Sequence, residues 1–201
     1  MSHEFDQFSL GNRTWDLGRT GFWIGGHFPA PNLSKGYHGI LKQWWDAYMS
    51  GKRVLLISES GKVKKVFQEQ YPNWEFETLD YYPELAQGTQ EDCDIFVDIC
   101  VTPFPEIGRK FDLIINQATL EHLYSPFDAM KNMVGMLSEG GILVSHTHPP
   151  GGSYHSWPRD YFRFMKDWWY DLPKYIKNIE LLEMLMVDNL HVYSCYRKTG
   201  N

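Results

Sequence analysis

Five short apolar runs punctuate the middle of this sequence, and their spacing restricts the possible fold more than any other feature. They are Arg53–Ser58 (RVLLIS), Glu75–Leu79, Asp94–Ile99 (DIFVDI), Phe111–Asn116 (FDLIIN) and Ile142–Ser145. In the first the apolar residues follow one another without alternation, the pattern of a strand covered on both faces in a parallel sheet. Segments of helical spacing lie between them. Lys62–Gln70 sets Val63, Val66 and Phe67 on one side and is broken by Pro72-Asn73. Pro126–Ser138 does the same with Phe127, Met130, Met133, Val134 and Leu137, with Gly140-Gly141 expected to stop the helix. Strands alternating with helices predict a parallel sheet with right-handed crossovers. Toward the end, Leu181–Val187 and Leu190–Tyr196 flank Asp188-Asn189, which predicts a C-terminal β-hairpin and one antiparallel strand. The expected fold is α/β, a doubly wound mixed sheet.

Residues 1–33 carry aromatic residues without a clear period, among them Phe5, Trp15 and Trp23. They read as an irregular arm that closes over a site, contacts a second copy in a homodimer, or extends the core. Ser34 is placed to cap a helix running to about Met49, with Ile40, Leu41, Trp44, Trp45 and Tyr48 on one face. A length of 201 residues suits one domain. The expected organisation is therefore residues 1–201 as a single unit, with 1–50 as arm and helix and 51–201 as the α/β core. A net charge of −6 argues against a general nucleic-acid binder. Cys93, Cys100 and Cys195 contain no CxxC pair, which excludes a disulfide framework or zinc ribbon. No apolar run approaches the roughly 20 residues of a membrane span, and Met1–Leu10 lacks a signal-like apolar stretch. The expectation is a cytoplasmic protein without a membrane partner.

Ligands of an open parallel sheet bind beyond the carboxyl ends of its strands. That rule selects Ser58, Glu59, Ser60 and Gly61, then Asp80, then Asp98-Ile99, then Asn116-Gln117, and finally His146–His148. Asp80 lies 21 positions beyond Glu59. An acid there either accepts two ribose hydroxyls of a nucleoside or merely opens a solvated loop.

The stretch FDLIINQATLEHLYSPFDAMKNMVGMLSEGGILVSHTHP resembles the fourth and fifth motifs of small-molecule class I S-adenosylmethionine-dependent methyltransferases. Phe111, Asp112, Leu120, Glu121, His122, Leu137, Gly140 and Gly141 fall in register with "FDLI", "LEH" and "L-x-x-GG", and the resemblance extends from about Arg53 to Tyr170. It implies the seven-stranded Rossmann-like fold and S-adenosylmethionine as cofactor. Ser58, Glu59, Ser60, Gly61 and Asp80 would then serve the methionine and ribose parts. Asp98 and Ile99 would lie beside the adenine. The first turn departs from the family's GxGxG: Ser58-Glu59-Ser60 keeps only Gly61. Each added Cβ restricts the backbone's approach. His122 marks the family and is expected to be structural.

Tyr154–Phe164 (YHSWPRDYFRF) resembles the H-x-x-P-x-D-Y-[FW]-R-F segment of many bacterial methyltransferases, with Met165 where a capping Thr often stands. It supplies the candidate catalytic residues His155, Asp160 and Arg163, with Asp160 and Arg163 alternatively pairing to pin the loop. His146, His148 and His155 fit no standard metal spacing, so no metal is expected. The implied function is methylation of O or N on a small or medium polar acceptor. The competing function is a non-catalytic protein of the same fold, which the altered turn favours. A nicotinamide oxidoreductase is disfavoured, since GxGxxG is absent too.

Overall fold

The computed structural model describes residues 7–9, 36–81, 93–151, 154, 159–187 and 189–200. The strands are β1 (Gln7–Ser9), β2 (Arg53–Ile57), β3 (Glu75–Asp80), β4 (Ile95–Phe96), β5 (Phe111–Gln117), β6 (Leu137–Thr147), β7 (Ile179–Val187) and β8 (His191–Lys198). They form one sheet in the order β1-β7-β8-β6-β5-β2-β3-β4. Strands β2 to β6 are mutually parallel where they pair, and β8 lies antiparallel between β6 and β7. The seven strands from β2 onward make the expected mixed sheet with its terminal hairpin. An eighth, β1, is added by the N-terminal arm and pairs antiparallel with β7. Most of the arm, and with it the expected lid or dimer surface, lies outside the described residues.

Alternation along each central strand builds two cores. In β2, Leu55 and Ile57 face one layer with α3 (Pro126–Met136) and α4 (Lys166–Tyr175). Val54 and Leu56 face the other, with α1 (Gly36–Tyr48) and α2 (Gly61–Gln70). Each fully buried aliphatic or Phe side chain contributes on the order of 1.5–3 kcal/mol. Trp44, Trp45 and Trp169 are fully buried, so much of the tryptophan content is core. The buried Glu183 of β7 accepts from Trp44 Nε1 at 3.1 Å and from the Tyr48 hydroxyl, which ties α1 to the hairpin.

Two expected boundaries move. Gly140-Gly141 does not stop a helix. The helix already ends at Met136 and the strand starts at Leu137, with an irregularity between Phe111 and Leu113 in the pairing. Gly140 takes φ +74, and a Cβ at Gly141 would lie 2.9 Å from Ser138 O and 3.0 Å from Phe111 O. The glycines therefore let two backbones close up within a bulge. The strand expected over Asp94–Ile99 shrinks to Ile95–Phe96, because Asp94 bonds across to Thr78 instead, accepting from its N–H at 2.8 Å.

Asp112 of the "FDLI" motif lies at the amino end of the sheet. Its Oδ2 accepts from Lys52 N at 2.9 Å and Arg53 N at 3.0 Å, which aligns β2 with β5. A Cβ at Gly51 would fall 2.0 Å from Asp112 Cγ, so the glycine admits the carboxylate. This marker is scaffold, at the end opposite the ligand edge. No described helix is long and apolar enough to cross a membrane.

Candidate active site

The first half of the ligand edge follows β2, β3 and β4. Ser58 leaves β2 at φ 55, in the left-handed region that favours glycine, and its N–H donates to Leu79 O at 2.8 Å. Ser60 is the N-cap of α2, its Oγ accepting from Val63 N at 3.4 Å. The two serines of the altered turn thus differ: one bears backbone strain, the other caps a helix. Between them the half-buried Glu59 has its carboxyl pushed up to about 8, first by burial and then by the charge of Asp80. Asp80 is also raised by burial, while Tyr81 N, donating to its Oδ1 at 2.8 Å, opposes the rise. Among the described residues, neither Glu59 nor Asp80 nor Asp98 has a cationic partner.

Asp98 lies just beyond β4. Its Oδ1 accepts from Cys100 N at 2.8 Å and its Oδ2 from the Tyr124 hydroxyl at 3.0 Å. Ile99 is buried, and Asn132 Nδ2 donates to its carbonyl at 2.8 Å, so α3 holds this loop. At the end of β5 the buried Asn116 donates to Ser145 Oγ at 3.4 Å. Asn116 Oδ1 and Gln117 Oε1 are buried without a hydrogen-bond partner among the described residues. Each such acceptor costs about 1–3 kcal/mol unless something donates to it.

The other half follows β5, β6 and the start of β8, and it is densely bonded. Leu120–His122 forms a 3-10 turn. The fully buried Glu121 accepts from Thr147 Oγ1, and its Oε1 lies 3.5 Å from His148 Nε2. The carbonyl of Glu121 accepts from Tyr161 N at 2.7 Å, and His122 Nδ1 donates to Arg159 O. Phe164 N donates to His148 O at 3.2 Å. The "LEH" residues thus clamp the segment 159–164 to the sheet edge, and His122 has the structural role expected of it. Arg163 grips both carboxylate oxygens of Asp160, whose side chain is 2% exposed. Asp160 and Arg163 therefore stand together as an ion pair. His155, the third candidate of this segment, lies outside the described residues.

His146 is the penultimate residue of β6, His148 follows the strand, and His191 opens β8. Antiparallel pairing of β6 with β8 brings them together, with Thr147 opposite Val192. His146 Nε2 lies 3.1 Å from His191 Nδ1, and the ligand nitrogens of all three lie within 4.8 Å of one another. Sequence reasoning grouped His146 and His148 with His155 and missed His191. The signal was the hairpin, since the first residue of its return strand falls beside the end of the strand it pairs with.

Residues 38–145 match the model of the methyltransferase domain, more than half of the 201-residue chain. The chain belongs to this methyltransferase family. None of the curated proteins compared with it matches in sequence. Solved structures share the fold. The CcbJ methyltransferase from Streptomyces caelestis superposes with a TM-score of 0.59 at 12% identity, covering 80% of this chain and 88% of that one. The plantazolicin methyltransferase BpumL in complex with SAH gives 0.58 at 10% identity, covering 80% and 81%. The [4+2]-cyclase SpnF gives 0.55 at 12% identity, covering 82% of each.

The Rossmann-like sheet of this methyltransferase is the one expected from its sequence, and S-adenosylmethionine is the cofactor its motifs imply. The donor set fits that group. The cofactor carries cationic sulfonium and ammonium groups and two ribose hydroxyls. The edge offers carboxylates at Glu59 and Asp80 without cations of their own, and buried amide oxygens at Asn116 and Gln117.

Proposed function

We propose that this methyltransferase methylates an oxygen or nitrogen of a small or medium-sized polar acceptor, with residues 1–201 acting as one domain. The carrying observation is the uncompensated acid pair. Glu59, pushed up to about 8 beside Asp80, is a carboxyl in want of a cation. In this reading Asp80 accepts the ribose hydroxyls, and Glu59, Ser58, Ser60 and Gly61 surround the methionine part. Asp98 and Ile99 border the adenine, and Asn116 and Gln117 take the remaining polar contacts. Bound there, the cofactor supplies an electrophilic methyl on sulfur.

The chain's own work is alignment, plus removal of a proton from the acceptor where it carries one. We assign the acceptor to the side of Tyr154–Arg163. Because Arg163 occupies both oxygens of Asp160, that pair is better suited to holding the acceptor's position than to taking its proton. The base of this segment is then His155.

A second reading has its own support: the strained, serine-bearing turn, and a fold neighbour described as a [4+2]-cyclase, suit a protein that binds without methyl transfer. Calorimetric titration with S-adenosylmethionine, S-adenosylhomocysteine and NAD tests the cofactor assignment on which the first reading rests. Saturable binding of the first two, weakened at least tenfold in Asp80→Ala, is expected. Absence of binding would remove the enzymatic reading, and binding of NAD alone would replace it.

A further inference from the structure

We propose that His146, His148 and His191 hold a divalent transition-metal ion of the zinc class at the acceptor half of the edge. The rings form a nearly equilateral triangle, with centroids 5.3 Å apart for His146–His148, 5.2 Å for His146–His191 and 5.4 Å for His148–His191. Rings that pack only for burial have no need to aim nitrogens at one point. Here one nitrogen from each lies within 4.8 Å of the other two. A tetrahedral ion with nitrogen bonds of about 2.0–2.1 Å has edges of about 3.4 Å. The 3.1 Å separation of His146 Nε2 and His191 Nδ1 is already close to such an edge. Side-chain shifts of about an ångström bring in the third nitrogen.

The surroundings have the character of a metal site. His148 Nδ1 donates to Leu190 O at 2.9 Å, which fixes the ring and leaves the lone pair on Nε2. The carboxylate of Glu121 is buried, anchored by Thr147, and lies 3.5 Å from that same Nε2. It places negative charge beside the ion. Neutral imidazoles select zinc, cobalt or iron over magnesium and calcium, which prefer oxygen. Three protein ligands leave a fourth position for water or for an oxygen of a bound molecule, whose proton such an ion would loosen. The site adjoins the cofactor half directly: Ala118 N donates to His146 O at 2.8 Å, one residue past Gln117. The inference does not depend on methyl transfer occurring.

The rival account is a proton-sharing network. One proton bridges His146 and His191, and His148 carries a charge against Glu121.

The test is metal content and stability of the whole purified chain, stripped with a chelator and then given zinc, cobalt(II) or magnesium. One equivalent of zinc and a raised Tm are expected, with no response to magnesium. Cobalt should give the visible absorption of a tetrahedral nitrogen site without a thiolate charge-transfer band. His191→Ala should lower zinc affinity at least tenfold and abolish the cobalt spectrum, while Cys93→Ser changes neither. His148→Gln gives the same reading should His191→Ala fold poorly. A wild-type Tm indifferent to zinc would overturn the site, as would zinc binding unchanged in either histidine variant.

Discussion

The two halves of the ligand edge are built in opposite ways. Beyond β2, β3 and β4 the acids Glu59, Asp80 and Asp98 have no cationic partners among the described residues; burial raises the carboxyls of both Glu59 and Asp80, and the charge of Asp80 raises Glu59 further. In the turn after β5 and beyond β6 and β8 most polar groups pair with one another, apart from Asn116 Oδ1 and Gln117 Oε1 at the end of β5. Glu121 is bonded through its side chain and its carbonyl, His122 through Arg159, and Asp160 through Arg163. The first half has unmet demand, which under the proposed function a cationic, hydroxyl-bearing cofactor would meet. The second is organised beforehand and holds a segment in place. Substitutions should therefore damage binding in the first half and folding in the second.

The largest effect should come from Glu121→Ala. It strands the Thr147 hydroxyl in the interior and removes a buried carboxylate from His148, costing about 3 kcal/mol. For a chain of this length that lowers Tm by roughly 6–12 °C. Cofactor affinity in the surviving folded fraction should stay within a few-fold. A Tm shift near zero would mean the network does not hold this half together.

Asp80→Ala should do the reverse. Cofactor affinity falls at least about tenfold through loss of charge-assisted bonds. The Tm of the ligand-free protein should hold or rise, since the variant removes the charge crowding Glu59. A strongly lowered Tm with intact affinity would erase the contrast.

The pH dependence sharpens it further. The folded-state carboxyl of Glu59 titrates near 8, above its ordinary value of 4.5. The folded chain therefore holds this proton more tightly than the unfolded chain. The resulting stability is complete below about pH 4.5 and is lost as pH rises through about 8. Cofactor binding that requires Glu59 ionised must release a proton near pH 7. Titration calorimetry in buffers of different ionisation enthalpy should detect it, and Glu59→Gln should abolish it. Equal heats in all buffers would leave Glu59 outside the cofactor contacts.

The smallest effects separate the two serines. Ser58→Gly relieves a left-handed backbone at the expense of greater freedom in the unfolded chain, a net gain of about 0.5 kcal/mol. Ser60→Gly forfeits the cap of α2 and should cost a few tenths of a kcal/mol. Denaturant midpoints of the two single variants should therefore move in opposite directions. Movement in the same direction would make the turn one unit rather than two.

Most of the sheet was legible because strand and helix periods are local. RVLLIS and FDLIIN announced β2 and β5, and the Asp188-Asn189 turn announced the hairpin. Family marks such as "LEH" were legible as well, although their physical work was not. Their role is to clamp residues 159–164, and that appears only when Glu121 O meets Tyr161 N. The glycine pair at 140–141 misled because a helix stop and a strand bulge share one local signature; the difference lies in how close Ser138 and Phe111 come.

By itself the sequence determined the order of strands and helices, the acids at their carboxyl ends, and the family. Those depend on patterns within a few residues of one another. The tertiary structure alone decided that Arg163 takes both oxygens of Asp160, that β1 joins the sheet beside β7, and that His191 rather than a neighbour in sequence completes the imidazole triangle. Each of these depends on register between segments far apart in the chain. Register is set by backbone hydrogen bonds and packing across the whole sheet, which no local spacing records.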